Sequence, residues 1–498
     1  MRGMRYITGL AVLLLVGYAA DAQSGGTEDV AGAAHQADAA RLLAGFLEND
    51  IELKDLAIKA RQAELGRKQT GIENGFDLTL STGTMTVYTA SDEPGATAFS
   101  VTPTAEFSFP PLNGAKLGVT VPLTVSEGGT GNKQGNDVAV ENAQVTLSAT
   151  LIGPARKQRT VALLKSDRAV LEAHRALLRR GRAAEKEFYE RLRSLYESAV
   201  EVLTLENTAY TKEMDMAVAR AQGYTPSSVQ YRTVELEAAD AHRAAQEQQR
   251  KLKRDTGLFA RDCGVDAETL SDLPSLLPQA DLETAPEFGS GSDRERFTEI
   301  EAAQWARHIG ALSREATGDF ELSAQGGVTA NNTRINGVGD RVSADAGLTL
   351  NWRGLSLSVG TQIPVTDTAN SRAAFTLSLG LNTGKQRLGA LSGEEKVLAA
   401  ESEALALQTA ERNWEETVDT VRAERADLVW ERKRLAEQYA LYRELALDTT
   451  AQFQSGLVTE SEYRKAVTNE QRARYEILAA DARSLVHLIN TGLYIVEE

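Results

Sequence analysis

Residues capable of chemistry are few in this sequence and poorly placed for it. The five histidines, His35, His174, His242, His308 and His487, are dispersed, with no pair spaced to share a metal ion or relay a proton. The run Gly128-Gly129-Thr130-Gly131-Asn132-Lys133 has the glycine content of a phosphate cradle. It lacks the P-loop spacing and follows no βα unit, so it reads as a loop between strands. No serine has a local histidine and carboxylate to activate it. The single cysteine, Cys263, excludes an internal disulfide and a cysteine-built zinc site, and it reads as a small apolar packing residue. The pattern calls for no enzyme, no metal and no cofactor.

The informative residues are those that alternate. From Gly75 to Gly153 the chain is rich in Thr, Ser, Gly and Val with period two. Phe99, Val101, Ala105, Phe107 and Phe109 share one parity, with Ser100, Thr102, Thr104, Glu106 and Ser108 on the other. A second such block runs from Phe320 to Leu381, where Leu348, Leu350 and Trp352 lead through Arg353-Gly354 into Leu355, Leu357 and Val359. A two-residue turn there pairs Trp352 with Leu355 and Leu350 with Leu357, placing the apolar residues on one face. Polar positions carry mostly Ser, Thr, Gly and Asn rather than Lys and Glu. Apolar-out, small-polar-in alternation suits a lipid-facing, water-filled barrel, with Phe107, Phe109, Leu350 and Trp352 as lipid-facing candidates. A soluble sandwich also alternates and is the competing reading. Pro122 and Pro364 fall at matching places in their blocks, where a ladder donor is lost, and predict an edge, a bulge or an excursion.

Helical texture surrounds both blocks. The spacing predicts helices over 35–68, 155–221 and 225–255 in the first half, and over 294–314, 385–455 and 460–489 in the second. Thr225 and Pro226 read as the N-cap and first residue of the helix at 225, with Gly257 closing it. The two longest would each reach roughly 100 Å, and their leucine stripes need burial against neighbours. The order helix, strands, long helix, shorter helix occurs twice. Lys157-Gln158-Arg159 recurs as Lys385-Gln386-Arg387, and Gly223 recurs as Gly456. The chain is therefore internally duplicated, with a first repeat at 23–257, a proline-bearing linker or equatorial segment at 258–292 and a second repeat at 293–498.

Composition narrows the partners. With 54 basic and 70 acidic residues the formal charge is −16, which repels nucleic acid. Arg2 and Arg5 precede an apolar run from Ile7 to Tyr18, and Ala20-Asp21-Ala22 supplies a small-residue cleavage site; residues 1–22 thus read as a signal peptide. No other stretch approaches the ~20 apolar residues of a spanning helix, so any crossing of a membrane falls to strands.

At Gly456-Leu457-Val458-Thr459-Glu460-Ser461-Glu462-Tyr463, with Arg474-Tyr475 and Gly492 beyond, the chain resembles the TolC-like outer-membrane efflux proteins, the outer membrane factors. Gly223-Tyr224-Thr225-Pro226 is the counterpart in the first repeat. Leu151-Ile152-Gly153-Pro154 and Leu381-Asn382-Thr383-Gly384 look like that family's strand-to-helix junctions. The resemblance implies an α+β membrane protein: a homotrimer whose outer-membrane β-barrel, in contact with lipid, continues into a periplasmic α-helical barrel. Its partners would be a periplasmic adaptor and an inner-membrane pump or ABC exporter, and its function the exit duct of a tripartite efflux or type I secretion system. Residues past the turn glycine would ring the tunnel entrance. Glu462 keeps the family's acid there, where three copies would raise each other's pKa; Lys465 replaces a second acid. Phe453 stands where an aromatic helps close the gate, and Gly223 and Gly456 mark the hairpin tips. Thr459 with Glu462 also forms a capping box on its own physics. The alternative is a periplasmic coiled-coil adaptor, against which two hairpins and eight alternating segments argue. Four segments per repeat exceed the family's two spanning strands, so either some are excursions or the barrel is larger.

Overall fold

The computed structural model describes residues 39–89, 97–112, 114–127, 137–140, 142–266, 273–278, 280–318, 320–331, 341–366 and 372–496. The expected signal peptide, His35 and the glycine-rich run at 128–133 lie outside the described residues. In chain order, α1 (Ala39–Asn49) and α2 (Ile51–Glu73) precede β1 (Asp77–Ser81), β2 (Met85–Thr89), β3 (Thr97–Val101), β4 (Thr104–Phe109), β5 (Ala115–Thr120), β6 (Leu123–Glu127), β7 (Asp137–Val140) and β8 (Ala143–Ile152). Then come α3 (Ala155–Ala221), α4 (Val229–Asp262), a single turn α5 (Asp293–Arg296) and α6 (Thr298–Ala316). The second half continues with β9 (Phe320–Asn331), β10 (Arg341–Trp352), β11 (Leu355–Pro364), β12 (Ala374–Leu381), α7 (Thr383–Gln454) and α8 (Glu460–Leu493).

The chain forms two compact units, and each draws on both halves of the sequence. One takes the chain up to Ala57 with Arg175–Thr298 and Asn413–Glu498; the other takes Ile58–His174 and Glu299–Arg412.

The first unit is helical. Phe46, Phe188, Leu192, Tyr196, Phe259 and Leu478 meet in its core, and Tyr196 donates its hydroxyl to the Pro274 carbonyl at 2.7 Å, satisfying a buried polar group. Cys263 is 2% exposed there, and burial pushes its thiol up to about 12, the behaviour of a packing residue. The helix expected over 35–68 is two helices, because the Asp50 carboxylate accepts from the main-chain N–H groups of Glu52 and Leu53 at 2.7 and 3.1 Å and so starts α2 afresh. Residues 282–288 of the proline-bearing segment are anchored to α7. Arg425 donates to the carbonyls of Leu282, Ala285 and Pro286, while Phe288 and Phe297 pack against Trp414 with ring centroids 5.1 and 5.2 Å apart. Extended backbone at the buried Phe297 delays the next helix to Thr298, later than the expected 294.

The second unit carries the strands. Eight form one antiparallel sheet in the order β1-β4-β5-β8-β9-β10-β11-β12, joined across the two repeats where β8 pairs with β9. The Arg353-Gly354 turn has positive φ at both residues (44° and 83°), as a two-residue hairpin of matching twist requires, and pairs Trp352 with Leu355. Asn382 donates its main-chain N–H to the Gly354 carbonyl at 2.8 Å and accepts the Lys385 N–H on its side chain at 3.0 Å, so one residue fixes the hairpin and caps α7. In the helices of this unit, Arg168 is bidentate to Glu301 and lies 5.2 Å from the Trp305 ring, and Arg314 is bidentate to Glu403 at 2.6 and 2.8 Å.

The first repeat departs from expectation. Each of its four alternating segments is broken into two strands, and β2, β3, β6 and β7 form a separate four-stranded sheet. The breaks fall at Gly83 (φ 67°), at Pro103, at Pro122 and at Asn142 (φ 53°). Val121 donates to the Pro103 carbonyl at 3.0 Å between the ladders, tying two of the breaks together. Pro122 therefore sits in a gap where no ladder donor is needed, whereas Pro364 ends β11 opposite Ser343. The two prolines do not play matching roles.

Candidate functional site

Two features are candidates: the hairpin tips of the helical unit and the faces of the eight-stranded sheet.

The tips are built alike. Gly223 (φ 85°) donates to the Arg220 carbonyl at 3.0 Å, and Tyr224 donates to Ala219 at 3.2 Å. Gly456 (φ 70°) donates to Phe453 at 2.9 Å, and Leu457 to Gln452 at 2.9 Å. Both are Schellman closures, in which a left-handed glycine lets two main-chain N–H groups satisfy the last carbonyls of the long helix. The tips then diverge. After Gly456 the chain enters α8 at once, with the full capping box: Thr459 donates its N–H and its hydroxyl to Glu462 at 2.8 and 2.9 Å and accepts the Glu462 N–H at 3.3 Å. After Gly223 the expected cap at Thr225 does not form. Ser228 donates its N–H to the Thr225 carbonyl at 2.8 Å, closing a turn with Pro226 at its second position, and Ser228 itself caps α4 through Tyr231. The helix expected at 225–255 thus occupies Val229–Asp262, passing through Gly257.

Glu462 and Lys465 are both exposed. Hydrogen bonds from the Thr459 main chain and hydroxyl hold the Glu462 carboxyl below the usual carboxylate range, and Lys465 adds in the same direction. Within one chain the shift is therefore opposite to the mutual raising that a ring of carboxylates implies. Phe453 stacks on Tyr463 at 4.7 Å with 9° between the rings. Two contacts at these tips were not anticipated from sequence: Arg464 lies 4.5 Å over the Tyr210 ring, and Arg220 donates to the Tyr231 hydroxyl at 2.8 Å. No local motif marks them, because Arg464 and Tyr210 are far apart in the chain and meet only when the hairpins pack.

Away from a register shift in β8 between Thr150 and Ile152, the sheet is two-faced. On one face Glu106, Gly118, Thr146, Gly327, Asp345 and Gln362 follow one another across the ladders. On the other, Leu78, Phe107, Leu117 and Leu147 continue in register across the first-repeat strands, and Leu322, Leu350, Leu357 and Leu379 across the second-repeat strands. That apolar face is open: Leu147 is 55% exposed, Leu348 50%, Trp352 49% and Leu377 74%. Leu350 is half-buried, as are Phe107 and Phe109, over which Phe76 lies at 6.4 and 5.4 Å. Phe76, Phe107, Phe109, Phe320 and Trp352 all stand at the end of the sheet from which the helices depart. Single aromatic positions did not reveal this girdle in the sequence; the ladder register assembles it. Among the described residues, no helix is long and apolar enough to cross a membrane.

The chain is similar to the outer membrane protein VceC from Vibrio cholerae, at 12% identity over 93% of this chain and 97% of that one, with a TM-score of 0.46. It is also similar to the outer-membrane channel OprN (13%, 95% and 96%, 0.47) and to the open state of the Neisseria gonorrhoeae MtrE outer membrane channel (15%, 91% and 88%, 0.44). These solved structures are TolC-family outer membrane channels. No curated protein matches the chain significantly. Residues 42–280 match the TP096X N-terminal domain and residues 290–497 the TP096X C-terminal domain. With both domains present in order across nearly all of its length, the chain belongs to the TP096X family.

Proposed function

We propose that this protein is the outer-membrane exit duct of a tripartite efflux or type I secretion system, conducting cargo passively across the periplasm and outer membrane. The observation that carries the reading is the eight-stranded antiparallel sheet with one open apolar face and one face of small polar residues. In water such a face would be covered; in a bilayer it is the wall of a barrel whose lumen is wet. The aromatic end of the sheet then lies at the membrane–water boundary on the helix side, where amphipathic rings concentrate. The helices lead into the periplasm, after export directed by residues 1–22. Three copies assemble, which buries side chains that one chain leaves exposed along α7, among them Leu391, Leu398, Leu405, Trp430 and Leu441. The hairpin tips meet the periplasmic adaptor of an inner-membrane pump or ABC exporter, and copies of Glu462 and Lys465 line the entrance.

Single cysteines at Trp352 and Leu377 test the reading. Both should react with a lipid-soluble maleimide and resist a water-soluble one in outer membranes, while Ala217→Cys should react with the water-soluble reagent. The purified protein should be a trimer by native mass spectrometry and should open pores in planar bilayers. Aqueous labelling of all three sites, or a stable monomer without pores, overturns it.

A further inference from the structure

Glycines interrupt the polar face of the eight-stranded sheet, and five of them are covered in the same way. A Cβ at Gly118 would stand 2.7 Å from Thr146 Oγ1, and one at Gly327 2.8 Å from Asp345 Oδ1. At Gly347 it would stand 3.1 Å from Gln325 Nε2 and at Gly360 2.7 Å from Thr376 Oγ1, while at Gly380 it would overlap the Ser356 hydroxyl. In every case the covering side chain belongs to the residue directly opposite in the ladder. Gly326, on the apolar face, meets only a main-chain carbonyl at 3.7 Å. Side chains opposite each other across a ladder ordinarily stand within contact of one another. A glycine gives its partner room to lie across the strand, so these polar side chains are folded down onto the wall.

Asp345 is the charged member of the set. Its two carboxylate oxygens stand 2.8 and 3.0 Å from where a Cβ of Gly327 would be, so the half-buried group lies across β9. In β10 it sits well inside the strand, and its ladder neighbours Gly327 and Gln362 are uncharged. Both flanking strands belong to the same chain, so these surroundings are complete within one copy. Among the described residues no cation pairs with it. The other acids of this face differ. Glu106, in the same row, is tied to Lys116 at 2.7 Å, and Asp77 and Glu321 stand at the helix end of their strands.

We infer that Asp345, recessed over Gly327, is a charge-selecting residue of the duct wall. It draws cations and the cationic groups of cargo to the barrel and disfavours anions, without narrowing the bore. This rests on the channel reading above and adds the sign of charge that the barrel prefers. A carboxylate without a counter-ion on a wet wall acts on passing charge out to about a Debye length. Lying flat, it attracts without offering upright oxygens that would coordinate an ion, so an ion drawn to it also leaves readily. The glycine at 327 is what permits that posture.

A cysteine at Thr329 reads the local potential. Thr329 lies on the polar face of β9, opposite Ser343 and one polar position from Gly327, and the native Cys263 is buried. Thr329→Cys is modified in outer membranes with cationic and anionic methanethiosulfonates of matched size, and the ratio of the two rates is measured. Asp345→Asn keeps the shape and removes the charge; it should lower the cation-to-anion ratio by roughly threefold or more at low salt. High salt should erase that difference. Asp345→Glu should preserve the ratio, and so should Glu106→Gln combined with Lys116→Gln, which removes a neutral pair. An unchanged ratio in Asp345→Asn overturns the inference, as does an equal fall in the Glu106/Lys116 double variant. Gly327→Ala should lower the temperature at which the barrel unfolds on gels, and adding Asp345→Ala should restore it; the same loss in both would remove the recess. If neither reagent reaches Thr329→Cys in folded protein, the polar face is not a wet lumen and the channel reading itself fails, an outcome distinct from the others.

Discussion

The two repeats give the same texture in sequence and different sheets in space. In the second repeat, β9, β10 and β11 run unbroken for 12, 12 and 10 residues, held by the Arg353-Gly354 turn and by Asn382. In the first, each segment is split between two sheets, so that β1, β4 and β5 are five or six residues long and only β8 reaches ten. The difference is local and chemical. The first repeat places Gly83, Pro103, Pro122 and Asn142 where a ladder would otherwise continue, and the second has no residue of that kind inside its longest strands except glycines with ordinary φ. Alternation sets which face a residue occupies; breakers set how far a strand stays with one neighbour. The same contrast holds at the tips, where equal glycine closures lead into a full capping box in one repeat and a longer, single-bond entry in the other.

A charge on the apolar face should show the contrast most strongly. Leu348→Arg in β10 should cost about 2–4 kcal/mol if that face lies at mid-bilayer, whereas Val87→Arg in β2 of the four-stranded sheet should cost about 0–1 kcal/mol. Folded fraction against urea in lipid vesicles measures both, and equal losses would remove the distinction between the two sheets. Next come the glycines. A Cβ at Gly354 would stand 2.6 Å from the Asn382 carbonyl and one at Gly83 1.8 Å from the Thr102 carbonyl, each on a left-handed backbone. Either alanine should cost at least ~1–2 kcal/mol. Hydrogen exchange should accelerate near β10–β11 for Gly354→Ala and in β2–β3 for Gly83→Ala, each sparing the other region.

At the tips, Thr459→Ala removes the two hydrogen bonds of the hydroxyl and should destabilise the start of α8 by about 1–2 kcal/mol, against about 0.5–1 kcal/mol at α4 for Ser228→Ala. Local exchange rates read both. The smallest effect is that of pH. Glu462 has its folded pKa lowered by the capping box, so its contribution is complete above the ordinary carboxylate value and is lost as pH falls through the lowered one. Protection of the first turn of α8 should therefore decline in acid, while the first turn of α4, capped by a hydroxyl, should not follow it.

Much of this was legible in the chain, and the failures have physical causes. Period-two alternation exposed the strands and the hairpin at Arg353-Gly354, because side-chain direction in a strand is fixed by parity alone. The long helices were legible to within two residues, since proline-free leucine-rich sequence has few competing conformations. The bends were not. A proline signals a missing donor, yet whether the strand becomes an edge or changes sheets depends on neighbours contributed from elsewhere in the chain. The cap at Ser228 was missed because Thr225-Pro226 satisfies the local rule for a helix start and equally that for a turn, and packing of Tyr231 on Arg220 accompanies the turn. The contact of Arg464 with Tyr210 and the aromatic girdle share that origin: both arise from residues brought together only by tertiary packing and register.

The twin glycine closures have one more consequence. Each long helix is closed at its hairpin tip by main-chain donors and acceptors alone, so beyond the glycine the closure itself makes almost no demand on the identity of the side chains around it. Surfaces beside the two turns can therefore be rewritten residue by residue, exchanging charge, size or aromatic character, while the scaffold beneath stays put. With two such permissive corners in one chain, the surface at one can change while the closure at the other is untouched.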